Sequence, residues 1–486
     1  MAEAVRFLLG YESRELRALD PNLTVLNYLR EVEGLSGTKE GCAEGDCGAC
    51  TVVLGEPDGE RIRYRGVNAC ILFAPQLDGR QLITVEHLRR PDGSLHPVQL
   101  AMVECHGSQC GFCTPGFVMS LFALYHEERL PGRQRILDAL AGNLCRCTGY
   151  RPIVDAAGRM RELGADDQFS AREAETVAQL KACGGGRLAF AHGGKRYFAP
   201  RRVDDLAALC AQFPSACLLA GGTDVGLWVT KQHRDLDTLI YVGAVQELRR
   251  LEVSDGHVEI GAAVTYTDAM DALGARWPDF GELIRRLGSV QIRNSGTLGG
   301  NVANGSPIGD SMPPFIALGA ELVLRKGTAR RTMPLEDFYL DYRSTALQPG
   351  EFVELIRVPL PQAEHQFRCY KISKRFDQDI SAVLGAFCVR LDAGKVAEVR
   401  IAYGGMAAIP KRVTECERAL RGRPWTEATI ARGREALARE LAPLSDMRAS
   451  AAYRLLAAQN LLTKFHVETS APATATRVLE LEVSHG

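Results

Sequence analysis

Gly41-Cys42-Ala43-Glu44-Gly45-Asp46-Cys47-Gly48-Ala49-Cys50, with Cys70 further along, spaces four cysteines as C-x4-C-x2-C…C. At that spacing, of the plant-type ferredoxin kind, four thiolates hold a 2Fe-2S cluster. A glycine stands beside or between every pair of cysteines. Glycine reaches positive φ at little cost, so the loop can curl tightly and turn its N–H groups toward an anionic centre. Strand-like runs Thr51-Val52-Val53-Leu54 and Arg61-Ile62-Arg63-Tyr64 flank a turn at Glu56-Pro57-Asp58-Gly59, and Cys70 arrives after Val67-Asn68-Ala69. A small sheet is expected to frame the loop.

Cys110, Cys113, Cys145 and Cys147 form a second quartet, C-x2-C and then C-x-C. Thr114 and Pro115 fit a capping residue and first residue of a helix, and Phe117, Val118, Met119, Leu121, Phe122, Leu124 and Tyr125 suit its buried length. The positive end of that helix would favour thiolates at Cys110 and Cys113. Ile136, Leu137, Leu140 and Leu144 lead a second helix toward Cys145 and Cys147. Zinc in a closed tetrahedral site is the competing metal for this quartet. Disulfides are disfavoured, since no secretory segment precedes the cysteines. Cys183, Cys210, Cys217, Cys369, Cys388 and Cys416 are scattered and are expected to be buried small hydrophobes.

The 486 residues suffice for about three domains. A formal net charge of -1 advertises no field for nucleic acid or an anionic membrane. No apolar stretch approaches the roughly 18 to 20 residues that would span a bilayer, and the first residues do not read as a signal peptide. A cytoplasmic protein is expected. Domains are expected at 1–90, 91–165, 190–362 and 363–475. The polar, glycine-bearing stretch 166–189 reads as a linker.

Two glycine-rich loops lie in the third domain. Leu218-Leu219-Ala220-Gly221-Gly222-Thr223-Asp224-Val225-Gly226 follows a strand-like run, and Gly296 to Asp310 alternates glycine with small hydrogen-bonding side chains. Such loops let bare N–H groups close on a diphosphate, although a glycine pair after a strand is more often a plain turn. Neither G-x-G-x-x-G nor G-x4-G-K-[ST] occurs in recognisable form.

Gly107-Ser108-Gln109-Cys110-Gly111-Phe112-Cys113-Thr114-Pro115-Gly116 and Asn143-Leu144-Cys145-Arg146-Cys147-Thr148-Gly149-Tyr150-Arg151-Pro152 resemble the helical cluster domain of the xanthine dehydrogenase family of molybdenum hydroxylases. The two glycine loops resemble that family's FAD domain, and Tyr403-Gly404-Gly405-Met406-Ala407 resembles its flavoprotein C-terminal domain. The resemblance spans nearly the whole chain.

It implies a multidomain α+β fold: a β-grasp plant-type ferredoxin domain, a helical-bundle 2Fe-2S domain, a vanillyl-alcohol-oxidase-like FAD domain and an α+β C-terminal domain. It implies an oxidoreductase subunit carrying electrons through two 2Fe-2S clusters to FAD and on to NAD+. The electrons come from hypoxanthine or xanthine, oxidised at a molybdopterin centre. That centre would sit in a large partner chain, the two pairing into a heterodimer and then a heterotetramer. The implied cluster ligands are Cys42, Cys47, Cys50 and Cys70, and Cys110, Cys113, Cys145 and Cys147. The implied FAD contacts are Leu218, Leu219, Ala220, Gly221, Gly222, Thr223, Asp224 and Val225; Leu287, Thr297, Gly299, Gly300, Asn301, Asn304, Ser306 and Asp310; and Val353 and Lys371. Gly222 stands where some members carry asparagine, Asp224 where some carry glutamate. Gln378 stands where vertebrate members carry an aspartate, a departure that bears on the choice between NAD+ and oxygen. Two other readings share these residues: an NADH-dependent flavin and iron-sulfur reductase needing no molybdenum partner, and a zinc-stabilised adaptor.

Overall fold

The first cysteine loop is framed by a five-stranded sheet. In the computed structural model, which describes residues 3–164, 166–471 and 474–477, its strands run Glu12–Leu16, Val5–Leu9, Gln81–Ile83, Thr51–Asp58, Arg61–Asn68 in spatial order. Thr51 pairs with Asn68 and Asp58 with Arg61, so the hairpin extends through Pro57 and turns at Gly59, whose φ is +66°. The turn is thus tighter than the four-residue one expected, because Gly59 supplies the left-handed conformation a two-residue connection needs. Phe7, Val52, Leu54 and Leu82 bury one face.

Helices Pro97–Glu104, Thr114–Glu127, Arg133–Leu140 and Arg151–Arg159 follow. Cys113 rather than Thr114 occupies the N-cap of the second, with Pro115 in its first turn. Phe117, Val118, Met119, Leu121, Phe122, Leu124 and Tyr125 are all buried, as the sequence pattern demands. The third helix ends at Leu140, short of Cys145. Gly142 and Asn143, poor helix residues, break it there, and Asn143 N closes a turn onto Leu140 O at 3.0 Å.

The 166–189 stretch is not a bare linker. Helices Gln168–Ala171 and Glu173–Cys183 occupy it, and Phe169, Val177 and Leu180 join the core of the preceding helices. Asp167 starts this structure: its Oδ1 accepts from Phe169 N at 3.0 Å and Ser170 N at 2.8 Å, an N-cap. Its Oδ2 accepts from His96 Nε2 and His126 Nε2, both at 2.8 Å. The expected boundary at 165, and residues 472 and 473 of the expected 363–475 domain, lie outside the described residues.

The chain forms two compact units that cut across the expected domain division. The first runs through Arg249 and adds Thr265–Thr267 and Gly288–Thr297; the second takes Arg250–Val264, Asp268–Leu287 and the chain from Leu298. Helix Val290–Ser295 explains the interleaving, because its side chains bond to the cluster domains of the first unit: Asn294 Nδ2 donates to Gly66 O at 2.9 Å. The first unit also holds a four-stranded sheet, Leu188–His192, Lys195–Ala199, Thr238–Tyr241, Cys217–Leu219.

Within the second unit, a five-stranded antiparallel sheet orders Leu251–Ser254, His257–Gly261, Phe352–Pro359, Glu321–Lys326, Ala329–Pro334. A four-stranded antiparallel sheet, His365–Ile372, Val383–Asp392, Lys395–Gly404, Lys411–Arg412, shares a core with helices Thr414–Leu420, Glu427–Glu440 and Ala451–Ser470.

Candidate functional site: two thiol quartets and the flavin loops

The first quartet is assembled by left-handed turns. Ala43, Gly45 and Gly48 have φ of 53°, 78° and 71°, and the curl aims three amides at one sulfur. Glu44 N, Asp46 N and Cys47 N donate to Cys42 Sγ at 3.5, 3.3 and 3.3 Å. Asn68 Nδ2 points at Cys50 Sγ from 3.8 Å. The Cys42 thiol meets those of Cys47 and Cys70, and Cys70 meets Cys50. Hydrogen bonds from Cys47 and Cys70, then the backbone amides, outweigh burial and hold Cys42 well below the usual thiol range. Cys70, bonded to Cys42 and Cys50 and buried, is pushed far above it. The three backbone amides on Cys42 Sγ are donors of the kind that a thiolate-held anionic cluster uses.

In the second quartet Cys113 meets Cys145 and Cys110 meets Cys147. Burial, then the Cys145 partner, pushes Cys113 up to about 12. Burial would raise Cys145 too, but the Thr148 hydroxyl at 3.1 Å and Thr148 amide at 3.4 Å outweigh it and lower that thiol. Tyr150, at a φ of 68°, sets its hydroxyl to accept from Cys145 N at 3.0 Å. Cys50 and Cys70 are buried, whereas Cys110 and Cys147 are exposed. Among the described residues every cysteine is a free thiol, and no three His, Cys, Asp or Glu side chains gather as ligands of a single ion. A 2Fe-2S cluster takes four thiolates, two on each iron, and each quartet supplies four. Of the scattered cysteines, Cys210, Cys369, Cys388 and Cys416 are buried as expected, while Cys183 and Cys217 are half-exposed.

The quartets lie on adjoining loops of the first unit. Leu144 N, next to Cys145, donates to Cys47 O at 2.9 Å. A Cβ on Gly48 would collide with the Gly142 carbonyl, so this approach requires glycine.

The expected flavin residues fall in both units. In the first, strand Cys217–Leu219 delivers the chain into Ala220 to Asp224, and helix Val225–Thr230 follows. Gly222 has a φ of +77°, and a Cβ on Gly221 would strike the Ser295 carbonyl. Thr297 is buried in the same unit and bridges to Thr265. In the second unit, helix Leu298–Asn304 carries Gly299, Gly300, Asn301 and Asn304; a Cβ on Gly299 would collide with Ala262, leaving no room for a larger residue. Asn301 Oδ1 accepts from Ser311 Oγ at 2.7 Å, and Ser306 Oγ from Ile308 N at 3.4 Å. Leu287 closes a turn onto Ile284 O at 3.0 Å, and Val353 is buried in strand Phe352–Pro359. Lys371 Nζ meets Asp310 Oδ2 at 2.5 Å, and Ser381 Oγ ties both, 2.9 Å from Lys371 Nζ and 2.7 Å from Asp310 Oδ1. The sequence brought Lys371 and Asp310 forward separately; their pairing through Ser381 is new. Bare glycine backbone in left-handed or crowded positions suits a diphosphate-bearing group, and within the first unit Gly221 and Gly222 offer it. Thr148 and Asn68, which serve sulfur, were also not singled out by sequence, since neither is a ligand type in a spaced motif.

Family models match in sequence order: a 2Fe-2S iron-sulfur cluster binding domain over 11–75, a [2Fe-2S] binding domain over 84–158, the FAD binding domain in molybdopterin dehydrogenase over 189–361, and the CO dehydrogenase flavoprotein C-terminal domain over 368–469. The chain is 33% identical to the xanthine dehydrogenase of Emericella nidulans, over 89% of its own length and 36% of that protein's. Xanthine dehydrogenase 1 of Arabidopsis thaliana is 31% identical over 84% of the chain and 35% of its own length. The chain thus spans about a third of these relatives. A solved carbon monoxide dehydrogenase chain from Hydrogenophaga pseudoflava aligns with TM-score 0.53 and 30% identity, over 55% of this chain and 94% of that one. Quinoline 2-oxidoreductase from Pseudomonas putida 86, at 24% identity and TM-score 0.52 over 57% of this chain and 98% of that one, shares the fold. With two 2Fe-2S binding domains ahead of a molybdopterin-dehydrogenase FAD domain, and xanthine dehydrogenases aligned across most of its length, the chain belongs to the molybdenum hydroxylase family as an iron-sulfur and FAD electron-transfer module.

Proposed function

We propose that this chain is the electron-transfer subunit of a cytoplasmic xanthine dehydrogenase, taking electrons released by hypoxanthine or xanthine oxidation at a molybdopterin-bearing partner chain and delivering them to NAD+. Cys42, Cys47, Cys50 and Cys70 hold one 2Fe-2S cluster, and Cys110, Cys113, Cys145 and Cys147 the other. The FAD contacts are those the resemblance implies, from Leu218 to Val225, at Leu287 and Thr297, at Gly299, Gly300, Asn301, Asn304, Ser306 and Asp310, and at Val353 and Lys371. The domains divide at 1–90, 91–165, 190–362 and 363–475. When bound, the clusters supply one-electron transfer and the flavin supplies conversion between single electrons and a hydride.

The observation that carries this reading is the direct bond between the two cysteine segments, Leu144 N to Cys47 O at 2.9 Å, which supports two quartets working in series. The second quartet is also the open one. Cys110 and Cys147 are exposed, and Phe112, Leu144 and Tyr150 around them are 49%, 42% and 40% exposed. Apolar surface beside solvent-facing ligands suits docking of the partner chain, which pairs with this one in a heterodimer and then a heterotetramer. Among the described residues no helix is long and apolar enough to cross a membrane.

The test is Cys113→Ser in the assembled complex. Xanthine-dependent NAD+ reduction is expected to be lost while NADH oxidation by an artificial dye stays nearly intact. Unchanged xanthine-dependent turnover refutes the role given to the second quartet.

A further inference from the structure

Helix Val290–Ser295 sends Gln291 between the two cysteine loops of the first unit. The residue is 2% exposed, and its Nε2 lies 3.2 Å from Thr51 Oγ1, 3.1 Å from Ser120 Oγ and 3.1 Å from Asn143 Oδ1. Each acceptor belongs to a different wall. Thr51 directly follows Cys50, Asn143 stands two residues before Cys145, and Ser120 lies on the helix capped by Cys113.

The donors of this network all point one way. Thr51 Oγ1 donates to Gly48 O at 2.7 Å, Ser120 Oγ to Asn143 Oδ1 at 2.6 Å, and Asn143 Nδ2 to Gly48 O at 3.0 Å and Thr51 Oγ1 at 3.2 Å. The hydroxyl protons are therefore committed, and the Gln291 amide must donate. Its neighbours on the helix hold it there. Asn294 bonds to Gly66 O, and Ser289 Oγ caps the helix by accepting from Ile292 N at 3.2 Å. The Cys145 segment lies flat against the amide, since a Cβ on Gly142 would collide with Gln291 Oε1 and come within 2.6 Å of Ser289 Cβ. Gln291 Oε1 itself finds no hydrogen-bond partner, so the amide is held through Nε2 alone, and the three acceptors around that nitrogen restrict its position.

We infer that Gln291 is a positioning residue: its amide fixes the spacing between the Cys42/Cys47/Cys50/Cys70 quartet and the Cys110/Cys113/Cys145/Cys147 quartet, and so sets how readily one electron passes between them. The inference rests on the electron-transfer reading above. In the step served, the second site is oxidised by one electron and the first reduced by one; no bond changes and no proton moves. The Gln291 helix runs directly into Thr297 and Gly299, so the same element anchors the chain that leads to the flavin loop.

Two variants of the holoenzyme test it. Gln291→Met keeps the side-chain volume and loses the amide, and Gly142→Ala presses on the amide from the Cys145 side. In both, iron and flavin contents and the individual g-values of the two reduced centres are expected to match the parent. The magnetic splitting between the centres, which falls with the cube of their separation, is expected to change, and flavin reduction by xanthine in stopped flow to slow several-fold. Unchanged splitting and rate in both variants overturn the inference. Loss of iron from either quartet in Gln291→Met also overturns it, since the amide would then merely build a loop. A parent protein without two paramagnetic centres defeats the electron-transfer reading itself, and the inference with it.

Discussion

Cys47 O accepts a hydrogen bond from Leu144 N at 2.9 Å, and so the backbone beside one set of thiols is tied to the backbone beside the other. The contact depends on Gly48, which combines a φ of 71° with a position where a Cβ would strike the Gly142 carbonyl. Gly48→Ala adds both strain and overlap and is expected to destabilise the first unit by about 1–3 kcal/mol. Thermal unfolding of the reconstituted protein, with iron assayed per chain, checks this. A variant with parental iron content and unfolding temperature contradicts it.

Thr148 gives Cys145 a hydroxyl and an amide contact. Hydrogen bonds to a ligand sulfur stabilise the more negative, reduced centre. Thr148→Val removes the hydroxyl and leaves the amide, so the reduction potential of the second site is expected to fall by a few tens of millivolts. A bond contributing about 1 kcal/mol corresponds to about 40 mV for one electron. A potentiometric titration followed by paramagnetic resonance reads the shift; a rise in potential runs against the argument.

Asp167 clamps His96 and His126 through a single carboxylate oxygen with all three groups buried or nearly so. Burial would raise its pKa, but the His126 and His96 donors outweigh that and hold it far below the usual carboxylate range. His96 moves below the ordinary 6.5, chiefly by burial and against the pull of Asp167. Both shifts are downward, so both groups contribute stability above their unfolded pKa values and lose it on acidification: His96 as pH falls below about 6.5, Asp167 below about 4. Asp167→Ala is expected to cost about 2–4 kcal/mol by orphaning two buried imidazole N–H groups and the helix cap. His96→Gln is expected to flatten the stability profile between pH 6.5 and 5. Denaturant unfolding across that range tests both, and a parental slope in His96→Gln would falsify the assignment.

Lys371, Asp310 and Ser381 close a buried triangle. Removing one charge strands the other, so Lys371→Met is expected to destabilise the second unit by about 3–5 kcal/mol. Asp310→Asn added to it is expected to recover part of that loss, since no uncompensated charge remains. Flavin content should drop in both if these residues touch the cofactor. Additive losses in the double variant argue against the coupling.

The parts legible in sequence were those that carry chemistry in their spacing. Cys42, Cys47, Cys50 and Cys70 could be grouped from intervals alone, and Phe117 to Tyr125 announced a buried helix by density. The 166–189 stretch misled because its apolar residues are sparse: Phe169, Val177 and Leu180 stand among charges and precede Gly184-Gly185-Gly186. Its helix signal was the cap, Asp167, whose carboxylate looked like one more solvated charge. Gln291 had no signature at all, since a lone glutamine in a short helix gains meaning only from Thr51, Ser120 and Asn143, all far away in sequence. The Lys371 to Asp310 pair spans 61 positions, and no local pattern links its members.

Helix Val290–Ser295 belongs to the first unit while the chain on either side of its segment belongs to the second. A truncation that stops after Arg249 would keep all eight sulfurs yet leave Thr51, Ser120 and Asn143 facing a hole where an amide had been. Any gene arrangement that put iron and flavin halves on separate polypeptides would likewise turn Gln291 into a latch between molecules, and its grip would then depend on concentration.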